Sequence, residues 1–132
     1  MKNTIFKLLE YSYYFSLIIL LVLYLFPGSL IGYFLYGNLG QQPDFISNPI
    51  GTSINHLIFF VYLSALGLTV GLRNKNFLNS FSFLLILSSS LELLHLLIPN
   101  RAFEYYDLFA NSIGVVIVYL LINIFLKLKI KN

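Results

Sequence analysis

Residues 90–114 read SLELLHLLIPNRAFEYYDLFANSIG, and this stretch decides how the chain can fold. It places Glu92 and His95 inside an apolar run that ends at Pro99, and Asp107 and Asn111 near the start of the next apolar run. A proline interrupts a helix, so the pattern predicts two helices joined by a short connection. Charged side chains inside apolar helices need partners. We therefore expect the polar faces of the helices to be turned toward one another.

The composition predicts a single integral membrane domain over residues 1–132. The chain is 58% hydrophobic and 10% charged, too few charges to cover the surface of a water-soluble domain. Its net charge of +3 comes from basic residues scattered at the ends of apolar segments. They form no patch, so we do not expect nucleic-acid binding. The chain has no cysteine, which excludes disulfides and thiolate sites.

Four apolar segments predict the fold class, an all-α membrane bundle of four transmembrane helices. They cover about residues 8–26, 53–72, 77–98 and 106–126, each close to the ~20 residues that cross a bilayer as a helix. A helix satisfies its own backbone hydrogen bonds in lipid. Residues 27–52, rich in glycine and proline, form a long loop between the first two helices. This loop is either a lid or a plain connector.

The distribution of Lys and Arg predicts the orientation. Seven of the eight basic residues fall on one side of the predicted membrane, and Arg101 lies on the other. The seven are Lys2, Lys7, Arg73, Lys75, Lys127, Lys129 and Lys131. Since basic residues mark the cytoplasmic side, both termini should be cytoplasmic, and the long loop, with Asp44, should be outside.

This orientation brings the polar residues of the spans to one level. The third helix runs outward, which places Glu92 about 9 Å below its outer end. The second and fourth helices begin outside, so His56, Asp107 and Asn111 should lie at a similar depth. A carboxylate that faces lipid costs at least about 2.5–3.5 kcal/mol. Glu92 is therefore paired, protonated or open to a water-filled cleft.

Each of these residues also has a simpler interpretation. Glu92 could form only a structural ion pair with Arg101 or His56. His95 could reach toward the membrane surface without any specific partner. Arg101 could anchor the interface or could bind a phosphate or carboxylate with its planar guanidinium. Asp107 could be the N-terminal cap of the fourth helix.

Metal ligation and helix contacts are two further questions. Glu92-x-x-His95 with His56 and Asp107 offers nitrogen and oxygen ligands, but a single Glu-x-x-His is not the paired motif of a di-metal carboxylate bundle. The sequence therefore predicts no metal and no cofactor. Gly67 and Gly71 form a small-xxx-small pattern, and with Gly114 they predict close helix approach.

The order and spacing of the polar residues resemble the VanZ-like family of small membrane proteins over about residues 50–120. The matching features are His56, Glu92, Pro99-Asn100-Arg101, and the pattern Asp-x-x-x-Asn-x-x-Gly from Asp107 to Gly114. Two positions depart from the family pattern: His95 stands where Gln is usual, and Thr52-Ser53 stands where an acidic-Lys pair is common. The resemblance implies a bacterial cytoplasmic-membrane protein. The founding member is linked to resistance to the lipoglycopeptide teicoplanin, but no biochemical activity carries over.

Three hypotheses about function remain open. In the first, an outer-leaflet cleft binds a membrane lipid or a lipid-linked envelope precursor, with Arg101 on the anionic head group. The predicted ligand-binding residues are His56, Glu92, His95, Arg101, Asp107 and Asn111. In the second, the protein is an intramembrane enzyme acting on a lipid-linked substrate, with Glu92 and His56 or His95 as acid and base. In the third, it is a structural subunit of a membrane assembly.

Overall fold

The computed structural model describes residues 2–43 and 51–131, and these residues form helices joined by turns and irregular connections. The helices are α1 (Lys2–Leu25), α2 (Leu30–Tyr36), α3 (Gly51–Gly71), α4 (Phe81–Leu94) and α5 (Tyr105–Lys131), with a 3-10 turn at Phe77–Asn79. The all-α prediction is confirmed for this part of the chain. The predicted outer position of Asp44 lies outside the described residues.

Three helices are long and apolar enough to cross a membrane, with spans at Asn3–Leu25, Ser53–Gly71 and Tyr105–Ile130. Their outward faces carry large apolar side chains such as Phe15, which is 66% exposed, and Leu121, which is 60% exposed. Exposing so much apolar surface to water would be unfavourable, whereas lipid chains would cover it. The structure therefore supports a membrane protein.

The predicted helix at 77–98 is wrong in its extent, because α4 covers only 14 residues. At 1.5 Å per residue it is about 21 Å long, shorter than the ~30 Å hydrocarbon core. Ser80 starts it as an N-cap, its hydroxyl accepting a hydrogen bond from the backbone N–H of Phe83 at 3.1 Å. Turns follow from His95, and Asn100 adopts a positive φ of 59°. Hydropathy alone does not detect these local caps and turns.

The predicted loop at 27–52 contains a helix that the sequence analysis did not anticipate. Ser29 caps α2 by accepting a hydrogen bond from Gly32 at 2.9 Å, and Gly37 ends it with a φ of 70°. A Cβ on Gly32 would lie 1.6 Å from the carbonyl oxygen of Gln41. The chain after α2 therefore folds back onto this helix.

Close packing of α3 against α5 forms the centre of the bundle. A Cβ on Gly114 would lie 3.0 Å from the carbonyl oxygen of Leu57, so this glycine allows the two helix backbones to approach, as predicted. Gly67 and Gly71 have other neighbours. Gly67 contacts the ring of Tyr13 in α1, and Gly71 faces the backbone of Asn79.

The basic segments lie together at one end of the bundle. Arg73 donates a hydrogen bond to Asn3 Oδ1 at 2.6 Å, and Asn74 donates one to Glu10 Oε1 at 2.7 Å. These contacts join the start of α1 to the connection after α3. His56, Glu92 and Asp107 lie at the opposite ends of their helices, so the bundle has a basic end and a polar, partly acidic end.

Candidate functional site

Four helices bring polar side chains together at the end of the bundle opposite the basic segments. We call this group the polar cluster: Tyr24 from α1, His56 from α3, Glu92 and His95 from the end of α4, and Asp107 and Asn111 from α5. All six are buried, and Glu92 and Asn111 are 0% exposed. The cluster contains five of the six side chains that the sequence predicted to converge, the exception being Arg101. Their role in ligand binding stays a prediction.

Glu92 contacts groups from the connection between α4 and α5 and from helix α3. Its Oε1 accepts a hydrogen bond from the backbone N–H of Glu104 at 3.1 Å and lies 3.4 Å from His95 Nδ1. Its Oε2 lies 3.9 Å from His56 Nδ1 and has no hydrogen-bond partner among the described residues. Glu92 therefore faces two histidines, and one of its oxygens is left without a donor.

The two ring nitrogens of His95 contact different neighbours. Its Nε2 lies 3.2 Å from the backbone carbonyl oxygen of Tyr24, which can only accept, so Nε2 carries a hydrogen. Its Nδ1 lies 3.4 Å from Glu92 Oε1, so both ring nitrogens of His95 contact oxygen atoms.

A second chain of contacts runs from Asp107 through His56 to α1. The Ser53 hydroxyl donates to Asp107 Oδ1 at 2.5 Å, and Asp107 Oδ2 lies 3.5 Å from His56 Nε2. His56 Nδ1 lies 2.9 Å from the Tyr24 hydroxyl, which donates to Asn111 Oδ1 at 3.0 Å. Asp107 lies in the first turn of α5, but its side chain joins α5 to α3.

The sequence analysis missed Tyr24 and Ser53. Tyrosine near the end of a span is common at membrane interfaces, so Tyr24 gave no specific signal. Its position one turn before Pro27, at the outer end of the first helix, placed it at the level of His56. Ser53 lies three residues before His56, on the same face of α3.

Arg101 interacts with the end of α1 and not with the carboxylates. Its Nε donates to the carbonyl oxygen of Phe26 at 3.3 Å, and one terminal nitrogen donates to that of Leu23 at 2.5 Å. These carbonyls have no partner within the helix, so Arg101 caps α1. An ion pair between Arg101 and Glu92 is not present. Arg101 lies outside the spans, and burial lowers its pKa.

Glu104 lies in the connection before α5 and adds a third carboxyl group near Glu92 and Asp107. Burial, reinforced by the Asp107 and Glu92 carboxyls, raises the pKa of Glu104.

Three side chains of the polar cluster bring possible metal ligands close together. One nitrogen of His56 and one oxygen each of Glu92 and Asp107 lie within 4.8 Å of one another. The polar cluster thus contains the donor atoms for a cation.

A cleft of about 90 Å³ opens beside the polar cluster, between α2 and the ends of α1 and α3. Its polar lining includes Tyr24, Asn55, His56, His95 and Arg101, and its apolar lining includes Leu23, Leu30, Ile31 and Phe59. Glu92, Asp107 and Asn111 lie behind the polar lining. Of the six predicted ligand-binding residues, the cleft therefore exposes His56, His95 and Arg101.

Comparison with known proteins identifies the family. The sequence profile of the VanZ/LLP1 family matches residues 6–126, so the match includes α1 and α2 as well as the polar cluster. No curated protein and no solved structure matches the chain. On the strength of a match that covers nearly its whole length, this chain belongs to the VanZ/LLP1 family.

Proposed function

We propose that this protein binds the polar head group of a membrane lipid or lipid-linked envelope precursor in the cleft beside the polar cluster. In this proposal it resides in the bacterial cytoplasmic membrane with both termini cytoplasmic. The α4 helix and its flanking turns form the fourth crossing, and the cleft lies in the outer leaflet. By binding an envelope component, the protein would change the cell-envelope surface to which a glycopeptide-type antibiotic is exposed.

The observation that carries the proposal is that the cleft lining combines polar and apolar side chains. An amphiphile has both kinds of group, and it would place its head group against His56, His95 and Arg101 and its chain against Leu30 and Phe59. A cleft of about 90 Å³ has room for a compact head group. Only the start of the acyl or polyprenyl chain would contact Leu30 and Phe59, and the rest of the chain would remain in the bilayer.

Arg101 provides the anion-binding group in this proposal. A guanidinium has five N–H donors in a planar fork. The carbonyls of Leu23 and Phe26 take two of the contacts, which fix the guanidinium at the edge of the cleft. Its remaining N–H groups can bind a phosphate or carboxylate, and fixing the side chain beforehand reduces the entropy lost on binding.

Lipid retention tests the proposal. Wild type, Arg101→Gln and Arg73→Gln are purified in mild detergent, and mass spectrometry identifies the lipids that remain on the monodisperse protein. Arg73 is the matched control because it also donates to a neutral oxygen, that of Asn3, but at the basic end. We expect wild type and Arg73→Gln to retain an anionic lipid and Arg101→Gln to lose it. Equal retention by all three would refute the proposal.

The buried Glu92 oxygen that has no partner favours the intramembrane enzyme as a second candidate. Oε2 lies 3.9 Å from His56 Nδ1, and His56 lines the cleft. A carboxyl this close to the imidazole could exchange a proton with it, while His56 acts as acid or base on a substrate in the cleft. Incubation with phospholipid and polyprenyl phosphate substrates tests this, since Glu92→Gln should abolish any turnover. No turnover by wild type would exclude it for those substrates.

A further inference from the structure

We propose that His56, Glu92 and Asp107 form a binding site for a divalent transition-metal ion, with Zn²⁺ as the first candidate. The site lies within the polar cluster, and its three ligands come from three helices, α3, α4 and α5. This inference departs from the expectation that the protein binds no metal. That expectation noted His56 and Asp107 as possible ligands but set the metal aside because a single Glu-x-x-His is not a di-metal motif. The structure brings one ligand atom each of His56, Glu92 and Asp107 close together.

The positions of the ligand atoms support the site. Zinc bonds to histidine nitrogen and carboxylate oxygen are about 2.0–2.2 Å long, so two ligand atoms of a tetrahedral ion lie about 3.3–3.6 Å apart. One nitrogen of His56 and one oxygen each of Glu92 and Asp107 already lie within 4.8 Å of one another. The separation of 3.5 Å between His56 Nε2 and Asp107 Oδ2 already fits, and the other pairs would close by at most about 1.3 Å on binding an ion.

The unpartnered Glu92 Oε2 is the second and independent observation. A buried carboxylate oxygen normally accepts hydrogen bonds, and leaving it without a donor is unfavourable. Glu92 is 0% exposed, and its Oε2 is directed toward His56 with no donor among the described residues. Since Oε1 already accepts from Glu104, Oε2 is the oxygen available to a cation.

The local charge also favours a cation. Asp107 is 5% exposed, and the ion-pair contacts of Glu92 and Asp107 within the described structure are with histidines alone. Arg101 instead caps α1. Two buried carboxylates without a permanent cation would repel each other, and a divalent ion would offset both charges.

The surroundings of His56 suit a metal ligand. A ligating imidazole usually has its second nitrogen oriented by a neighbouring group. The Tyr24 hydroxyl contacts Nδ1 at 2.9 Å, which leaves Nε2, 3.5 Å from Asp107 Oδ2, for the ion. One imidazole and two carboxylates suit Zn²⁺ and similar divalent ions, and they leave a coordination position open for water or a ligand.

Metal titration of the full-length chain tests this site. Tag-free protein in detergent is stripped with EDTA, and Zn²⁺ binding is followed by calorimetry and by elemental analysis after gel filtration. The variants are Glu92→Gln and Asp107→Asn, and the control is Glu10→Gln, the same change at the basic end. We expect one Zn²⁺ per chain in wild type and the control. Each site variant should bind at least about tenfold more weakly.

Two results would overturn the proposal: no stoichiometric Zn²⁺ uptake by folded wild type, or equal affinity in wild type and both site variants. Circular dichroism and gel filtration establish that each variant is folded. Two variants on different helices are used so that a folding defect in one leaves the other informative. Lipid retention is measured separately on EDTA-stripped protein, so a failure of the metal site is distinguishable from a failure of the proposed head-group binding.

Discussion

The Tyr24 hydroxyl lies between His56 and Asn111 and joins α1 to two other helices. Tyr24→Phe removes it and leaves Asn111 Oδ1 without a donor in a fully buried position. We expect the free energy of unfolding to fall by about 1–3 kcal/mol, the usual range for a buried polar group that loses its partner. Denaturant titration in detergent micelles measures this change.

Tyr62→Phe is the matched control for that experiment. Tyr62 is 48% exposed, and its hydroxyl makes a longer contact of 3.2 Å with Ser16. Its removal should change the unfolding free energy by no more than about 0.5 kcal/mol. Equal losses in the two variants would contradict the role given to Tyr24.

For individual residues, the sequence predicted which side chains would meet in the polar cluster but not the hydrogen bonds that they make. Helix direction and residue level were enough to place His56, Glu92 and Asp107 together, because each lies near the same end of its helix. The interaction of Arg101 with backbone carbonyls was not predictable. It depends on where α1 ends relative to the connection after α4. Every residue has a backbone carbonyl, so the sequence does not show which carbonyls Arg101 will contact.

Among the helices, the α3–α5 contact depends on Gly114. A Cβ there would lie 3.0–3.1 Å from Leu57 O, Phe60 Cβ and Val61 N, and none of these atoms belongs to a flexible side-chain end. Gly114→Ala should therefore push the helices apart and lower the unfolding free energy by about 1–3 kcal/mol.

Gly40→Ala provides the comparison for Gly114→Ala. Gly40 is exposed, and its nearest neighbour to an added Cβ is a side-chain oxygen of Asn38 at 3.4 Å. We expect no loss of stability in this variant. A Gly114→Ala protein as stable as Gly40→Ala would show that the two helices are not closely packed at this point.

Element boundaries were less predictable than element type. Hydropathy located all the long apolar segments but extended the third to 77–98, where Ser80 caps the helix and turns follow His95. It also gave no helix in 27–52, although Ser29 and Gly37 now explain the ends of α2. Caps are local hydrogen bonds, and a 20-residue average of hydropathy does not detect them.

For the molecule as a whole, the absence of cysteine makes the topology directly testable. Single-cysteine variants are made at exposed positions: Lys7→Cys and Ile130→Cys at the basic end, and Ala102→Cys at the opposite end. On intact cells a membrane-impermeant maleimide should label Ala102→Cys alone, and it should reach the other two only after permeabilisation. The reverse pattern would place the cleft in the inner leaflet and contradict the proposed orientation.

Photo-crosslinking with a phospholipid that carries a diazirine near its head group tests the central claim most directly. If the cleft holds the head group, the labelled peptides after irradiation should concentrate on residues 23–31 and 55–59, which contribute to its lining. An excess of unlabelled anionic lipid should suppress this labelling. Labelling spread evenly along the lipid-facing sides of α1 and α5, with no enrichment at the cleft, would contradict the account.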